Sequence, residues 1–247
     1  MSNDPSRYGH SFADVYDLWY GDRDVDSVAR CMCRLLPEGG HVVELGVGTG
    51  LVAERLLEAG FTVTGIDASP PMLERARDRL GPDVDLIAAD AAAFALEGDP
   101  VTADAVLGVF NLVFNLADAS AQAAMFRAAA DALGPGGLLV LEAFVPDLSD
   151  DAEEYGLSTR SVADDAVVLV ATQRLDDQRV AGSHVELRDG SVRLRPWHLR
   201  LASPAQLDVM AAAAGFRLVE RCADLDSSPY VDGESHRHVS VWSMPGV

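Results

Sequence analysis

The residues best suited to chemistry are three acids that stand at the ends of predicted strands. Glu44, Asp67 and Asp90 each follow a short apolar run, and a glycine-rich turn follows the first of them. In a doubly wound sheet these strand ends meet at the edge where ligands bind. A carboxylate at this edge can hold the ribose hydroxyls of a nucleoside and attract a cation. The pattern therefore predicts a site for a positively charged nucleoside.

The glycine turn argues against a dinucleotide as the ligand. Residues 46–50 read G-V-G-T-G, whereas a pyrophosphate-binding turn has the spacing G-x-G-x-x-G. Glu44, just before the first glycine, would also repel a pyrophosphate. Gly46 and Gly48 let the backbone take φ > 0 and approach a ligand closely. S-adenosylmethionine (SAM) fits, because it has a ribose diol, a net positive charge and no phosphate.

Three motifs carry a resemblance to a known family. The stretches E-L-G-V-G-T-G (44–50), G-I-D-A-S-P-P-M-L (65–73) and A-A-D-A (88–91) resemble motifs I to III of the class I SAM-dependent methyltransferases. The resemblance covers roughly residues 16–242. It implies a doubly wound, seven-stranded Rossmann-like α/β sheet with an antiparallel last strand. It also implies a single domain over 1–247, with SAM as cofactor and S-adenosylhomocysteine (SAH) as product.

The resemblance also assigns the cofactor site. Phe12, Tyr16 and Tyr20 recur at helical spacing, which suits either a core-facing stripe or a lid helix over the cofactor. We expect such lid helices over about 8–36. Met72 suits core packing as well as adenine contact. The predicted cofactor residues are Tyr16, Tyr20, Glu44, Gly46, Gly48, Asp67, Ala68, Met72, Asp90, Ala91 and Phe110.

The end of the predicted fourth strand is the first place to look for the methyl acceptor. This strand covers 103–110, and Asn111 and Asn115 follow it at the position of the family's motif IV. Both are predicted substrate residues, because this strand end faces cofactor and acceptor in the family. Alternatively, amides after a strand cap the next helix or form a turn, which we favour for Asn115.

Residues 147–202 interrupt the alternation of strands and helices and predict an antiparallel β cap inserted after the fifth strand. Strands are expected at 166–174, 178–188 and 191–201, with a tight Asp-Gly hairpin turn between the last two. We expect this cap to cover the acceptor. Aminosugar N-methyltransferases of antibiotic pathways carry similar caps, although this nearer resemblance is loose.

The hairpin register predicts which cap residues face the site. A tight turn pairs His184 with Arg195 on a polar, solvated face and places the apolar residues on the other face. His198 and Arg200 share the parity of the apolar residues, so we expect them to point toward the cofactor edge. Pro196 would spoil this parity if it introduced a bulge.

The resemblance implies methyl transfer to an O or N atom of a small-molecule metabolite, in natural-product biosynthesis. His198 is the predicted base or acceptor-orienting group, since a hydroxyl acceptor benefits from a base. Arg200 would bind an acidic substrate group, or equally form a structural ion pair. The alternative is a SAM-binding protein of this fold that does not methylate.

Composition limits the partners. The chain has 247 residues and a net charge of −20, and all 19 of its basic residues are Arg. Such a surface repels nucleic acid and anionic membranes, which favours a small-molecule substrate. No apolar run reaches the ~18 residues of a membrane span. Cys31, Cys33 and Cys222 are read as free thiols in a reducing cytoplasm. No metal site is expected, and the protein is predicted to be a monomer or homodimer.

Overall fold

Strands and helices alternate along the first half of the chain. The computed structural model describes residues 4–96, 102–149 and 152–246. The strands are β1 (His41–Leu45), β2 (Thr62–Asp67), β3 (Asp85–Ala88), β4 (Ala103–Gly108), β5 (Leu133–Phe144), β6 (Tyr155–Val162), β7 (Ala166–Arg174), β8 (Arg179–Arg188), β9 (Ser191–Arg200), β10 (Arg217–Cys222) and β11 (Arg237–Ser243). The helices are α1 (Arg7–Phe12), α2 (Tyr16–Tyr20), α3 (Val25–Leu35), α4 (Leu51–Glu58), α5 (Pro70–Leu80), α6 (Ala119–Ala132) and α7 (Pro204–Ala213), with a 3₁₀ turn at Leu112–Asn115.

Seven strands form one sheet in the order β10-β11-β5-β4-β1-β2-β3. Strand β1 pairs in parallel with β2 and β4, and β11 runs antiparallel between β5 and β10. This arrangement confirms the predicted Rossmann-like sheet with an antiparallel last strand. Because β1, β2 and β4 run parallel, their carboxyl ends meet at one edge, where Glu44 and Asp67 lie.

Helices cover both faces of this sheet. On one face, Phe126 of α6 packs edge-on against Trp242 of β11, with ring centroids 5.7 Å apart. On the other face, Met32 of α3 and Leu56 of α4 are fully buried against β1 and β4. A central parallel strand buried on both sides needs a continuous apolar run, which Val42 and Val43 provide. The two helical layers hold the carboxyl edge rigidly.

Side-chain caps explain where several helices begin. Asp24 accepts a hydrogen bond from the backbone N–H of Ser27 at 3.0 Å and so caps the start of α3. Asp118 does the same for α6 through Ala121. Each cap satisfies a backbone donor that the helix itself leaves free, and so contributes about 1 kcal/mol.

The aromatic stripe near the N-terminus is split between the two short helices α1 and α2, so it does not lie on one lid helix as the spacing suggested. In a continuous helix the Ser11 carbonyl would accept from the N–H of Val15. Instead it accepts from the guanidinium of Arg195, and Val15 donates to the carbonyl of Phe12 at 3.0 Å. The interruption therefore comes from a side chain of the distant strand β9.

Strands β6 to β9 form a second, four-stranded antiparallel sheet. The predicted register is confirmed, since Arg188 pairs with Ser191 and His184 with Arg195. Pro196 pairs with Ser183 and the register continues without a shift, so the bulge considered for it does not occur. Strand β6 was not predicted.

The orientation of this sheet differs from the prediction. Leu194 is 63% exposed, whereas Arg195 is 1% exposed and His184 is 7% exposed. The expectation that His184 lies on a solvated face was therefore wrong. The polar face packs inward because Asp14 and the aromatic residues of α1 and α2 supply partners for it.

Candidate active site

A cavity opens at the carboxyl edge of the seven-stranded sheet, where four of its parallel strands, β1 to β4, end. Most of the predicted cofactor residues line it, namely Tyr16, Glu44, Gly46, Gly48, Asp67, Ala68, Met72, Asp90, Ala91 and Phe110. Asn115, a predicted substrate residue, lines it as well. Tyr20 and Asn111 do not appear in its lining.

The glycine turn forms one wall of the cavity with its backbone. Gly46, Gly48 and Gly50 have φ values of 66°, 57° and 86°, which L-residues with side chains rarely adopt. A Cβ on Gly46 would also stand 2.5 Å from Leu112 Cδ1. The turn is therefore fixed in a shape that presents bare backbone to the cavity.

Asp67 is held rigidly at the end of β2. Its Oδ2 accepts from the backbone N–H of Gly48 at 2.9 Å, and its Oδ1 accepts from the N–H of Ser69 at 2.8 Å. Burial raises the pKa of this carboxyl. A carboxylate offers about four acceptor positions, so both oxygens can still accept from the hydroxyls of a ribose.

Glu44 is the strongest sign that the cavity takes a cation. This side chain is 3% exposed, and its Oε2 has no hydrogen-bond partner within the part of the chain that the structure describes. Burial, together with the nearby Asp67 charge, raises the pKa of Glu44 well above its ordinary value. A cationic donor in the cavity would satisfy the free oxygen. The ammonium and sulfonium of SAM supply such a charge, so these residues fit SAM.

Tyr8 and Gly9 of helix α1, together with Pro5 just before it, form the roof of the cavity. None of the three was predicted as a site residue. A Cβ on Gly9 would overlap the side chain of Ser69, so the helix lies directly on the loop after β2. A sequence signal for Tyr8 did exist. The four-residue spacing of the aromatic stripe extends back one turn from Phe12.

The segment after β4 has unusual backbone geometry. Phe110 and Asn111 both have positive φ, at 56° and 64°. The N–H of Phe110 donates to Glu142 Oε2 at 2.6 Å, and Asn111 Oδ1 accepts from the N–H of Phe144 at 2.7 Å. Strained residues of this kind concentrate at functional sites. The Asn111 amide fixes the turn rather than facing the cavity.

A second cavity lies beside the first, beneath β8 and β9. His198 and Arg200, the predicted acceptor residues of the cap, both line it, as do Arg7, Arg179 and Trp197. His198 is exposed and Arg200 is buried, so only Arg200 lies inward as expected. The two cavities share the residues Pro5, Tyr8, Asp90, Asn115 and Leu116.

Tyr20 serves the contact between α2 and the cap sheet. Its hydroxyl lies 3.5 Å from Nε2 of His184, and the guanidinium groups of Arg23 and Arg160 lie over its ring at 4.3 and 4.2 Å. Burial, with the charges of Arg160 and Arg195, lowers the pKa of His184 to about 4. His184 is therefore a neutral structural group near pH 7.

Across 4–96, 102–149 and 152–246, no three His, Cys, Asp or Glu side chains are grouped so that they could hold a metal ion. No helix in these segments is long and apolar enough to cross a membrane.

Comparison with known proteins agrees with this geometry. A family described as a methyltransferase domain matches residues 42–137. The chain is 35% identical to the CcbJ methyltransferase of Streptomyces caelestis, with a TM-score of 0.89 over 99% of this chain and 100% of that one. It is 26% identical to SAM-bound CalS10 of Micromonospora echinaspora, described as an amino pentose methyltransferase, with a TM-score of 0.70 over 93% of this chain and 96% of that one.

The fold, the site and these similarities place the chain in the class I SAM-dependent methyltransferase family, and its cofactor is SAM. Among curated proteins it is also similar to the dTDP-3-amino-3,4,6-trideoxy-alpha-D-glucopyranose N,N-dimethyltransferase of Streptomyces venezuelae. The two are 29% identical over 206 residues, which cover 81% of this chain and 79% of the relative. A cypemycin N-terminal methyltransferase of a Streptomyces species is 28% identical, over 92% of this chain and 94% of the relative.

Proposed function

We propose that this protein transfers the methyl group of SAM to an amine nitrogen of a small-molecule metabolite in natural-product biosynthesis. The observation that carries the proposal is the junction of the two cavities at Tyr8, Asp90 and Asn115. One cavity has the groups that suit SAM, and the other opens beneath a β cap. A reactant in each would meet at the junction.

On the cofactor side, the protein binds and orients. Asp67 accepts from the ribose hydroxyls, Glu44 attracts positive charge, and the backbone of Gly46 and Gly48 allows close approach. SAM supplies a methyl carbon already activated by positive sulfur. The roof residue Tyr8 covers the cavity and limits access of water, which strengthens these electrostatic contacts. Most of the catalytic advantage then comes from holding donor and acceptor in line.

On the acceptor side, the junction favours an amine. Its titratable side chains are Tyr8 and Asp90, and burial raises the pKa of Tyr8 well above 10. Tyr8 therefore stays protonated and cannot serve as a base. A neutral amine attacks with its own lone pair and needs no base in that step. The positive charge that then develops on nitrogen is favourable beside the Asp90 carboxylate.

His198 lies in the second cavity and not in the cofactor cavity. Although the side chain is exposed, partial desolvation and the charge of Arg7 lower the pKa of His198, so most of the imidazole is neutral near pH 7. In the proposed reaction it orients the acceptor or takes up the proton that the methylated amine releases. The alternative is that His198 acts as the general base for a hydroxyl acceptor. An amine acceptor does not require this role.

The names of several relatives support an amine acceptor. They include an N-terminal methyltransferase, an N,N-dimethyltransferase of an aminosugar nucleotide and a sugar N-methyltransferase. These substrates belong to those proteins. What supports the proposal here is that such chemistry recurs on this fold and that the junction of the two cavities suits it.

We further propose that residues 1–247 act as one domain, with a lid at about 8–36 and an acceptor cap at about 147–202. Residues of α1 in the roof support the lid, and β8 and β9 beside the second cavity support the cap. A cytoplasmic monomer or homodimer that does not bind nucleic acid is consistent with the net charge of −20.

The proposal is tested with methyl-labelled SAM and a set of small amines and matched alcohols, followed by mass spectrometry of the labelled product. We expect label on nitrogen. Calorimetric titration with SAH and with NAD should show binding of SAH alone. Label on oxygen would reject the amine acceptor, and SAH binding without transfer to any acceptor in an extract of the producing organism would favour the non-methylating alternative.

A further inference from the structure

Arg200 is a buried cation whose close partners are neutral. The residue is 9% exposed, and its guanidinium donates to the side-chain oxygens of Gln122 and Gln178, the latter at 2.8 Å. Asp118 and Asp176 are the acids whose charges reach it. Both bind elsewhere, because Asp118 caps α6 and Asp176 pairs with Arg179. Arg200 therefore forms no ion pair within the described residues, and the structural ion pair considered for it is absent.

Gln122 fixes the position of this guanidinium without neutralising it. Gln122 is fully buried, and its Nε2 donates to the backbone carbonyls of Val113 and Arg200, each at 2.8 Å. Its amide oxygen must then face the guanidinium. Desolvating a charge without an opposite partner is costly. This chain has 39 acidic residues, yet a neutral amide occupies the position.

Arg200 is one of the residues that line the second cavity. Arg7 and Arg179 line the same cavity, and its acidic residues are Asp4 and Asp90. Asp4 accepts from the hydroxyl and N–H of Ser6, and Asp90 lies at the junction with the cofactor cavity. Away from the junction the lining holds three arginines, one of them paired with Asp176, against a single acid, Asp4, in a protein whose net charge is −20.

We propose that Arg200 binds an anionic group of the methyl acceptor, a carboxylate or a phosphate, and so selects negatively charged acceptors. A guanidinium fork matches the oxygen geometry of both groups. The inference rests on the proposed function, which assigns the second cavity to the acceptor. The inference adds Arg200 as a specificity-determining residue and anionic small molecules as the class of acceptor. A highly acidic protein repels anions unless a local cation compensates, so such acceptors need a cation of this kind.

Calorimetric titration of SAH-saturated protein tests the inference. The probes are sodium pyrophosphate and sodium succinate at constant ionic strength, and the stronger binder shows whether phosphate or carboxylate is preferred. We expect saturable binding of at least one probe, and Arg200→Gln should weaken it by roughly tenfold or more. Arg127→Gln is the matched control, because Arg127 is exposed on α6, and it should leave the binding unchanged. Arg200→Lys keeps the charge and should restore part of the binding.

A second variant separates anion binding from a purely structural role. Gln178→Glu places a carboxylate where Gln178 now accepts from Arg200, so it neutralises the guanidinium without removing it. The change also removes the bond that Gln178 Nε2 donates to Gln206 Oε1 at 3.0 Å, so we expect a somewhat lower urea midpoint with a retained circular dichroism spectrum. We expect the variant to bind the probe at least tenfold more weakly. Unchanged probe binding in this variant, or no binding of either probe to the parent protein, would overturn the inference. If SAH binds in that case, the proposed function stands; if SAH fails to bind, the proposed function itself fails.

Discussion

The indole N–H of Trp197 donates to Nδ1 of His184 at 3.1 Å. Because Nδ1 accepts, the ring proton of neutral His184 is on Nε2, which faces the hydroxyl of Tyr20. One imidazole thus connects the cap strand β9 to helix α2. Gly182 makes this possible, since Trp197 lies over it in the space that a Cβ would fill. The contact between cap and N-terminal helices consequently depends on His184 remaining uncharged.

This dependence predicts an effect of pH on stability. The pKa of His184 is lowered to about 4 by burial, whereas an unfolded histidine has a pKa of about 6.5. Between these values the unfolded chain takes up a proton that the folded chain does not. The His184 contribution therefore lowers the free energy of unfolding as pH falls from about 6.5 to about 4, by roughly 3 kcal/mol, and is constant above that range.

Urea unfolding of the parent protein and of His184→Gln at several pH values measures this contribution. The free energy of unfolding of the parent protein, relative to that of His184→Gln, should fall as pH is lowered from about 6.5 to about 4. The difference between the two should stay constant from pH 7 to 8. His236→Gln, at an exposed position, is the control and should show no such difference. A His184→Gln curve parallel to the parent curve would contradict the prediction.

The ribose assignment of Asp67 makes a binding prediction. Asp67→Ala removes the acceptor for two hydroxyls and also frees the N–H groups of Gly48 and Ser69. We expect affinity for SAH to fall by more than tenfold, which corresponds to at least about 1.4 kcal/mol, while the circular dichroism spectrum is retained. Asp131→Ala, an exposed change on α6, should leave the affinity unaltered. Retained affinity in Asp67→Ala would reject the assignment.

Two arginines that share one acid allow a test of burial. Asp14 pairs with Arg195 at 2.6 Å and with Arg193 at 2.7 Å, but the side chains of Arg195 and Arg193 are 1% and 58% exposed. We expect Arg195→Met to lower the free energy of unfolding by about 1.5–3 kcal/mol, because it removes charge-assisted hydrogen bonds that hold α1 to β9. Arg193→Met should cost at most about 1 kcal/mol. If urea unfolding shows that both variants lose the same free energy of unfolding, burial does not determine how much each arginine stabilises the fold.

The amine acceptor predicts a small effect at His198. If the acceptor attacks with its own lone pair, His198→Ala should lower kcat by less than about tenfold, since it removes only an orienting group or late proton acceptor. A general base typically contributes about 10²–10⁴-fold. Steady-state kinetics at pH 7 and 9 distinguish these cases. A loss of a hundredfold at both pH values would assign proton abstraction to His198.

The cofactor edge was readable from sequence because it is local. Glu44 and the glycines that follow it lie in one turn, and Asp67 and Asp90 each end the next strands, so strand order alone brings them together. The hairpin register was readable for the same reason, since Asp189-Gly190 fixes every pair that follows it.

The parts that were missed depend on contacts between distant residues. The break after α1 requires Arg195 to take the Ser11 carbonyl, more than 180 residues away in the chain. The inward turn of His184 requires Asp14 and the aromatic residues of α1 and α2 as partners for the polar face. No local pattern reports either contact. Amphipathic alternation shows which residues share a face, but not which face is buried.

Because Gly9 has no side chain, helix α1 can lie close over the cofactor cavity. A Cβ on this residue would stand 2.3 Å from the Cβ of Ser69, so even one added methyl group would tilt α1 and lift Tyr8 from the cavity that it covers. A gap there would admit solvent between donor and acceptor and would loosen both at once. The fit between the two substrates is thus controlled from the roof of the cavity, at a position that performs no chemistry.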